Sequence, residues 1–281
     1  MSKMKQIFAL VAVLAVLVPR APVSARPLVT ADLDTPGTSR DLLLPPAADN
    51  SQLIYLGQAV DPGTGELVEG YAFVKRPKAA PAKGGSGSKG TTVCYGFLAR
   101  GAKWKTIEPW VTNPANAAGL DETFVFANLM QNINKWEDGA DGLVNGSGLD
   151  VLGAGSATTD PLLGDTVAPD DKNEVYFANI SDPGAIGVTI VWGIFSGPTF
   201  NRKLVEWDQI YDDQDFGWSA SGETGKMDFE NISTHELGHS VGLADLYNTC
   251  VEETMYGYAG AGETKKRDLN AGDLAGMNSL Y

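Results

Sequence analysis

"THELGHSVGLAD", residues 234–245, contains both histidines of a 281-residue chain. On a helix, positions i and i+4 stand one above the other on a single face, so His235 and His239 can hold one metal ion between two ring nitrogens. Glu236 lies one position further round. Its carboxylate stays off the metal but within reach of water there, where a general base belongs. A catalytic site of this type takes three protein ligands and keeps one position open. No third histidine exists in the chain, so the last ligand has to be Asp, Glu, Tyr or Cys. Gly242 can turn the chain back through a left-handed conformation. Asp245, three residues on, is then the best-placed carboxylate. Glu263 is a more distant alternative that leaves Gly242 without a purpose.

The helix carrying this stretch is expected from near Asp228 to about Gly242. Upstream, "DETFVFANLMQNINKWED" (121–138) sets Phe126, Met130, Ile133 and Trp136 at helical spacing, the stripe of a core-facing helix. Strands are expected at 103–112, 149–153, 173–180, 185–195 and 203–212, each bounded by Gly, Pro, Asp or Asn. Residues 269–281 read as a closing helix with Asn270 as cap and Asp273 three positions on. The order of strands, helix, glycine-rich loops and final helix indicates an α+β domain. Before it, residues 51–76 read as a small hairpin about Asp61-Pro62-Gly63. Residues 77–90, "PKAAPAKGGSGSKG", have a flexible linker's composition. The main domain, residues 91–281, is therefore expected to begin near Thr91, with 26–90 as an N-terminal segment and candidate pro-region.

With 43% hydrophobic and 20% charged residues the composition is that of a globular protein. The net charge of −14 argues against nucleic acid or anionic lipid as a partner. Residues 1–25 have a signal-peptide layout: Lys3 and Lys5, an apolar run over 7–18, then Val23-Ser24-Ala25. The run is too short to span a bilayer, so the expected product is secreted, extracellular and free of the membrane after cleavage. In an oxidising compartment the two cysteines, Cys94 and Cys250, read as a disulfide. A competing reading makes the Cys94 thiolate a latency device that occupies the open metal position. Asp212, Asp213 and Asp215 in "YDDQD" read as a solvated strand end ahead of a calcium loop. Calcium is the ion such carboxylates suit, and the sequence places it nowhere.

"HELGHSVGLAD" resembles the metzincin metalloprotease signature, HExxHxxGxx followed by His or Asp. "ETMYGY" (253–258) looks like that clan's methionine turn, with Met255. Met255 followed by Tyr256 is closest to the matrixins, and "LNAGDLAGMNSLY" is similar to their last helix. The longer stretch "GKMDFENISTHELGH" resembles secreted matrixin-like proteases of prokaryotes, archaea in particular. The resemblance covers roughly residues 100–281. It implies a zinc endopeptidase with His235, His239 and Asp245 as ligands, Glu236 as base and Met255 packed under the metal. The implied domain has a twisted, mixed five-stranded sheet, two long helices and a small C-terminal subdomain. It also implies protein or peptide substrates for a monomer, a peptide lying along an exposed edge strand within 185–195. Three positions depart from the matrixin pattern: Asp245 replaces a histidine, Gly257 replaces a proline, and "TTVCYGF" lacks the PRCGxPD switch motif. Tyr256 and Tyr258 read as packing residues. The rival reading is a non-catalytic exported binding or surface protein that keeps the zinc-binding fold.

Overall fold

In chain order the elements of the computed structural model are β1 (Asp41–Leu42), β2 (Leu53–Val60), β3 (Leu67–Pro77), β4 (Trp110–Asn113), α1 (Glu122–Asp141), β5 (Gly155–Ala157), β6 (Asn173–Ile180), β7 (Gly187–Ile194), β8 (Lys203–Asp212), β9 (Trp218–Ser219), β10 (Met227–Asp228), α2 (Phe229–Ser240), β11 (Tyr258–Ala259) and α3 (Ala271–Leu280). The structure describes residues 41–46, 51–77, 93–141 and 150–281, and Ser39–Tyr281 form one unit. The expected leader and residues 78–90 of the expected linker lie outside the described residues.

The sheet runs β11-β3-β7-β8-β6-β4-β5, with β1 added to β6 and β2 to β3. Strands β5, β4, β6 and β8 are parallel, while β7 runs antiparallel to both β8 and β3. Parallel neighbours need a long crossover, and α1 supplies it between β4 and β5. The central strands "NEVYFANI" and "GVTIVWGI" are buried on both faces, which is why they read as continuous runs rather than alternations. One face packs against the helices through Trp136, Trp207, Tyr211, Phe229 and Met255. The other carries a second core of Ile54, Val74, Leu162, Ile190, Trp192 and Ile210.

Several expectations shift. Of the strand expected over 103–112, only the end from Trp110 forms, because Trp104 leaves the sheet line to donate its indole N–H to the Ser240 carbonyl at 2.7 Å. No strand forms at 150–153. There the backbone N–H groups of Val151 and Leu152 both donate to Glu137 of α1, which ties the segment to the helix. The buried stripe of α1 is Val125, Leu129, Ile133 and Trp136, with Phe126 and Met130 only half-buried at its side.

The largest correction concerns the hairpin. β2 and β3 form about Asp61 as expected, with the Asp61 carboxylate accepting from Gly63 N–H at 3.0 Å. They do not stand apart, since Glu69–Lys75 pairs with β7 along its whole working length. Gly70 permits this, because a Cβ there would meet the Trp192 ring at 2.6 Å. Among the described residues the sheet therefore has nine strands in place of five. The folded unit begins well before residue 91, and β7 is an inner strand rather than an exposed edge.

Candidate metal centre

Asp228 starts α2: its carboxylate accepts from the Asn231 N–H at 3.0 Å, satisfying one of the donors that a helix start leaves open. Arg267 holds the same carboxylate from outside, with its Nε 2.8 Å away. The helix stops at Ser240, and Gly242 follows with φ of +104°, a conformation that only glycine adopts without strain. This turn returns the chain so that the Leu243 carbonyl accepts from His239 Nδ1 at 2.9 Å. On the other ring, His235 Nδ1 lies 2.6 Å from the Thr254 carbonyl. A carbonyl can only accept, so both rings carry their proton on Nδ1 and present Nε2 as a lone pair. Burial pushes both imidazoles below the usual histidine range, which keeps them neutral.

Asp245 arrives opposite. Its Oδ1 lies 3.1 Å from His235 Nε2 and 3.7 Å from His239 Nε2, while Oδ2 accepts from the Tyr247 hydroxyl at 2.9 Å. Glu236 Oε2 accepts from the Thr189 hydroxyl at 2.7 Å. Its Oε1 is turned toward the ligands, 3.9 Å from His235 Nε2. Burial raises the Glu236 carboxyl to about 7, against the pull of Lys75 and Thr189 toward the charged form.

Three buried atoms here have no hydrogen-bond partner: His235 Nε2, Glu236 Oε1 and Asp245 Oδ1. Each is a lone-pair donor, and lone pairs packed this closely repel unless a cation lies among them. Two neutral imidazoles and one carboxylate are the donor types that suit zinc. The structure thus brings His235, His239 and Asp245 into one potential metal-holding group. Glu263 is absent from it and pairs with Lys266 at 3.2 Å.

Met255 lies under the centre. A Cβ on Gly238, between the two histidines, would meet Met255 Sδ at 2.2 Å, so the glycine is what lets the turn approach the helix. Asp273, expected only as a partner of the Asn270 cap, makes that contact at 2.9 Å and also accepts the N–H groups of Thr254 and Met255. It fastens the turn to α3. Cys94 and Cys250 are bonded to each other across 156 residues. The sulfur of Cys94 is therefore committed, which removes the thiolate-latency reading.

Residues that the local pattern did not mark complete the site. The Phe73 ring stacks on His239 at 4.3 Å. Lys75, fully buried, donates to the Tyr256 carbonyl at 3.0 Å, and burial pushes its ammonium well below the usual lysine range. Both belong to β3. The Tyr258 carbonyl accepts from Lys266, and the Tyr256 and Tyr258 rings lie 5.9 Å apart. In "YDDQD", Asp212 accepts from Ile180, Gln214 and Asp215 N–H groups and Asp213 from Ala117, so these carboxylates cap backbone. The matrixin family model matches residues 199–281, a span that holds α2, the Met255 turn and α3. No curated protein matches the chain.

Proposed function

We propose, for a chain that is matrixin-like over residues 199–281, that this protein is a secreted zinc-dependent endopeptidase held in a closed form. The observation that carries the reading is the convergence of three buried, unpartnered donor atoms from His235, Asp245 and Glu236. Zinc bound by His235, His239 and Asp245 supplies Lewis acidity toward a scissile carbonyl and makes water a stronger acid. Glu236 takes a proton from the attacking water on Oε1 and returns it to the leaving nitrogen as the C–N bond breaks. Thr189 holds the other oxygen, so the base keeps one orientation. Tyr247 does the same for Asp245.

His235, Glu236 and His239 are 0%, 1% and 1% exposed, which no polypeptide substrate could reach. The cover is β3, which fills the place beside β7 where an extended peptide would pair by main-chain hydrogen bonds. In our reading the N-terminal segment 26–90 is an inhibitory pro-region whose hairpin must leave before substrate enters. Export follows from the leader pattern in residues 1–25, and the acidic charge agrees with a soluble monomer acting on proteins or peptides.

Zinc titration of the full chain against a chromophoric chelator tests the centre. One zinc per chain is expected for the wild type and for Glu236→Gln, and strong loss for His239→Ala and Asp245→Ala. Wild-type affinity in Asp245→Ala would remove that residue from the ligand set.

A further inference from the structure

β3 covers the centre with the pairing of a bound peptide. Glu69–Lys75 runs antiparallel to β7, and beyond it Arg76 and Pro77 pair in parallel with Tyr258 and Ala259 of β11. The end of the strand thus lies in a slot, with β7 on one side and the stretch after Met255 on the other. Side chains alternate across a strand. Ala72 and Val74 point into the second core, so Phe73 and Lys75 point toward the centre. Phe73 stands opposite Thr189 in the β7 register, the residue whose hydroxyl holds Glu236 at 2.7 Å.

Each of the two side chains meets a surface that fits its chemistry. The Phe73 ring is 6% exposed and stacks on the His239 imidazole with 21° between the planes, a contact that an aliphatic side chain does not make. Lys75 is 2% exposed, and its Nζ donates to the Tyr256 carbonyl at 3.0 Å. The charges that act on it are the acids Asp245, Glu236 and Glu263 against Lys266, and Lys266 pairs with Glu263 at 3.2 Å. A side chain of equal length without a donor would seal the Tyr256 carbonyl from water unpaired. A carboxylate would set its charge against that carbonyl and against Glu236. Burial opposes the ammonium charge, yet a neutral amine donates to the same carbonyl, so the contact does not depend on the proton. Arg76 faces the other way and pairs with Asp182 at 3.1 Å, a partly exposed contact that adds little.

We propose that β3 copies the preferred substrate: once the hairpin has left, the slot selects an extended peptide with an aromatic residue at the place of Phe73 and a lysine two positions later, at the place of Lys75. This rests on the endopeptidase reading and adds to it the class of peptide that is cut. Main-chain pairing along β7 accepts any sequence, so the choice falls to the two side chains that point at the centre. β2, which pairs with Leu67–Phe73 on the far side of β3, has no counterpart in a free peptide. A substrate is therefore held less firmly than the hairpin, and its products can leave.

The zinc-loaded full chain is nicked between residues 78 and 92, and retention of the hairpin on dilution is measured for wild type, Phe73→Leu and Lys75→Met. Melting of each uncut chain checks its folding. The diluted wild-type protein is then given a mixture of peptides of random sequence, and the products are sequenced. In each variant the hairpin should come away at a protein concentration about tenfold higher than in wild type, the effect of one lost stacking or hydrogen-bond contact. Cut peptides should be enriched in an aromatic residue two positions before a lysine, at a fixed distance from the cut. The peptide arm needs no variant and decides alone if one fails to fold. Hairpins retained equally in all three chains, or products without that enrichment, would overturn the proposal. Retention that follows both residues while no peptide is cut would overturn the endopeptidase reading and leave the slot as a selective peptide-binding site.

Discussion

Glu236 and Asp245 each carry one oxygen held by a hydroxyl and one left free. That division sets their roles, because the held oxygen fixes orientation and the free one is available for chemistry or a metal. Tyr247→Phe removes the partner of Asp245 Oδ2 without touching a ligand. Loss of such a supporting hydrogen bond typically weakens metal binding by about 10–100-fold, so zinc affinity should fall by about tenfold in chelator competition. An unchanged affinity would show that Asp245 needs no such support. The four central residues were legible because helix spacing and a glycine-turn distance are local rules. Thr189, Phe73 and Lys75 were not. They reach the site from strands, Thr189 across 47 positions to Glu236 and Lys75 across 181 to Tyr256, and no spacing in the chain marks them.

At the scale of elements, α2 and the Met255 turn approach each other closely at Gly238. Gly238→Ala would drive a Cβ into Met255 Sδ, and overpacking of this kind costs about 1–3 kcal/mol. A lower Tm and a weakened zinc site are expected together. A variant that melts and binds zinc as wild type does would show that the turn has room. The link between α1 and residues 150–153 gives a pH prediction. Burial raises the Glu137 carboxyl above its ordinary value, although Val151 and Leu152 N–H groups favour its charge. Between the ordinary and the raised value the folded chain keeps a proton that the unfolded chain has released, so this group lowers stability as pH rises through that window. Glu137→Gln keeps an acceptor for both N–H groups and has no such dependence. Its stability relative to wild type should therefore climb as pH rises above about 4.5; a pH-independent difference would contradict the assignment. The same pair explains why "LDVLG" misled: Val151 and Leu152 are buried in the core, but their backbone N–H groups go to a helix carboxylate instead of a neighbouring strand, and hydrophobicity alone does not say where the backbone is paired. The helix cap at Asp228, the positive φ at Gly242 and the Asn270–Asp273 pairing were all readable, since each depends on residues within a few positions.

Over the whole molecule, strands β4 to β8 and the helices α1 and α2 form a mixed α/β arrangement compatible with the fold that the resemblance implied, and the N-terminal hairpin adds what it did not. A glycine- and serine-rich stretch after a hairpin reads as a boundary, yet composition reports only the connection and says nothing of what the hairpin pairs with. Here β3 takes the free side of β7 and brings Phe73 and Lys75 over the centre. The same strand therefore completes the core and closes the site, which is the physical basis for latency in our account. The measurement that tests the central claim most directly is chelator-sensitive hydrolysis of an unstructured protein by the zinc-loaded chain. It is made before and after cleavage between residues 78 and 92 and removal of the hairpin, for wild type and Glu236→Gln. The account predicts little activity before cleavage, activity after it, and a loss on the order of 10²–10⁴-fold in the variant with zinc still bound. A folded, zinc-loaded chain that stays inactive after the hairpin is gone, or a Glu236→Gln variant as active as wild type, would contradict it.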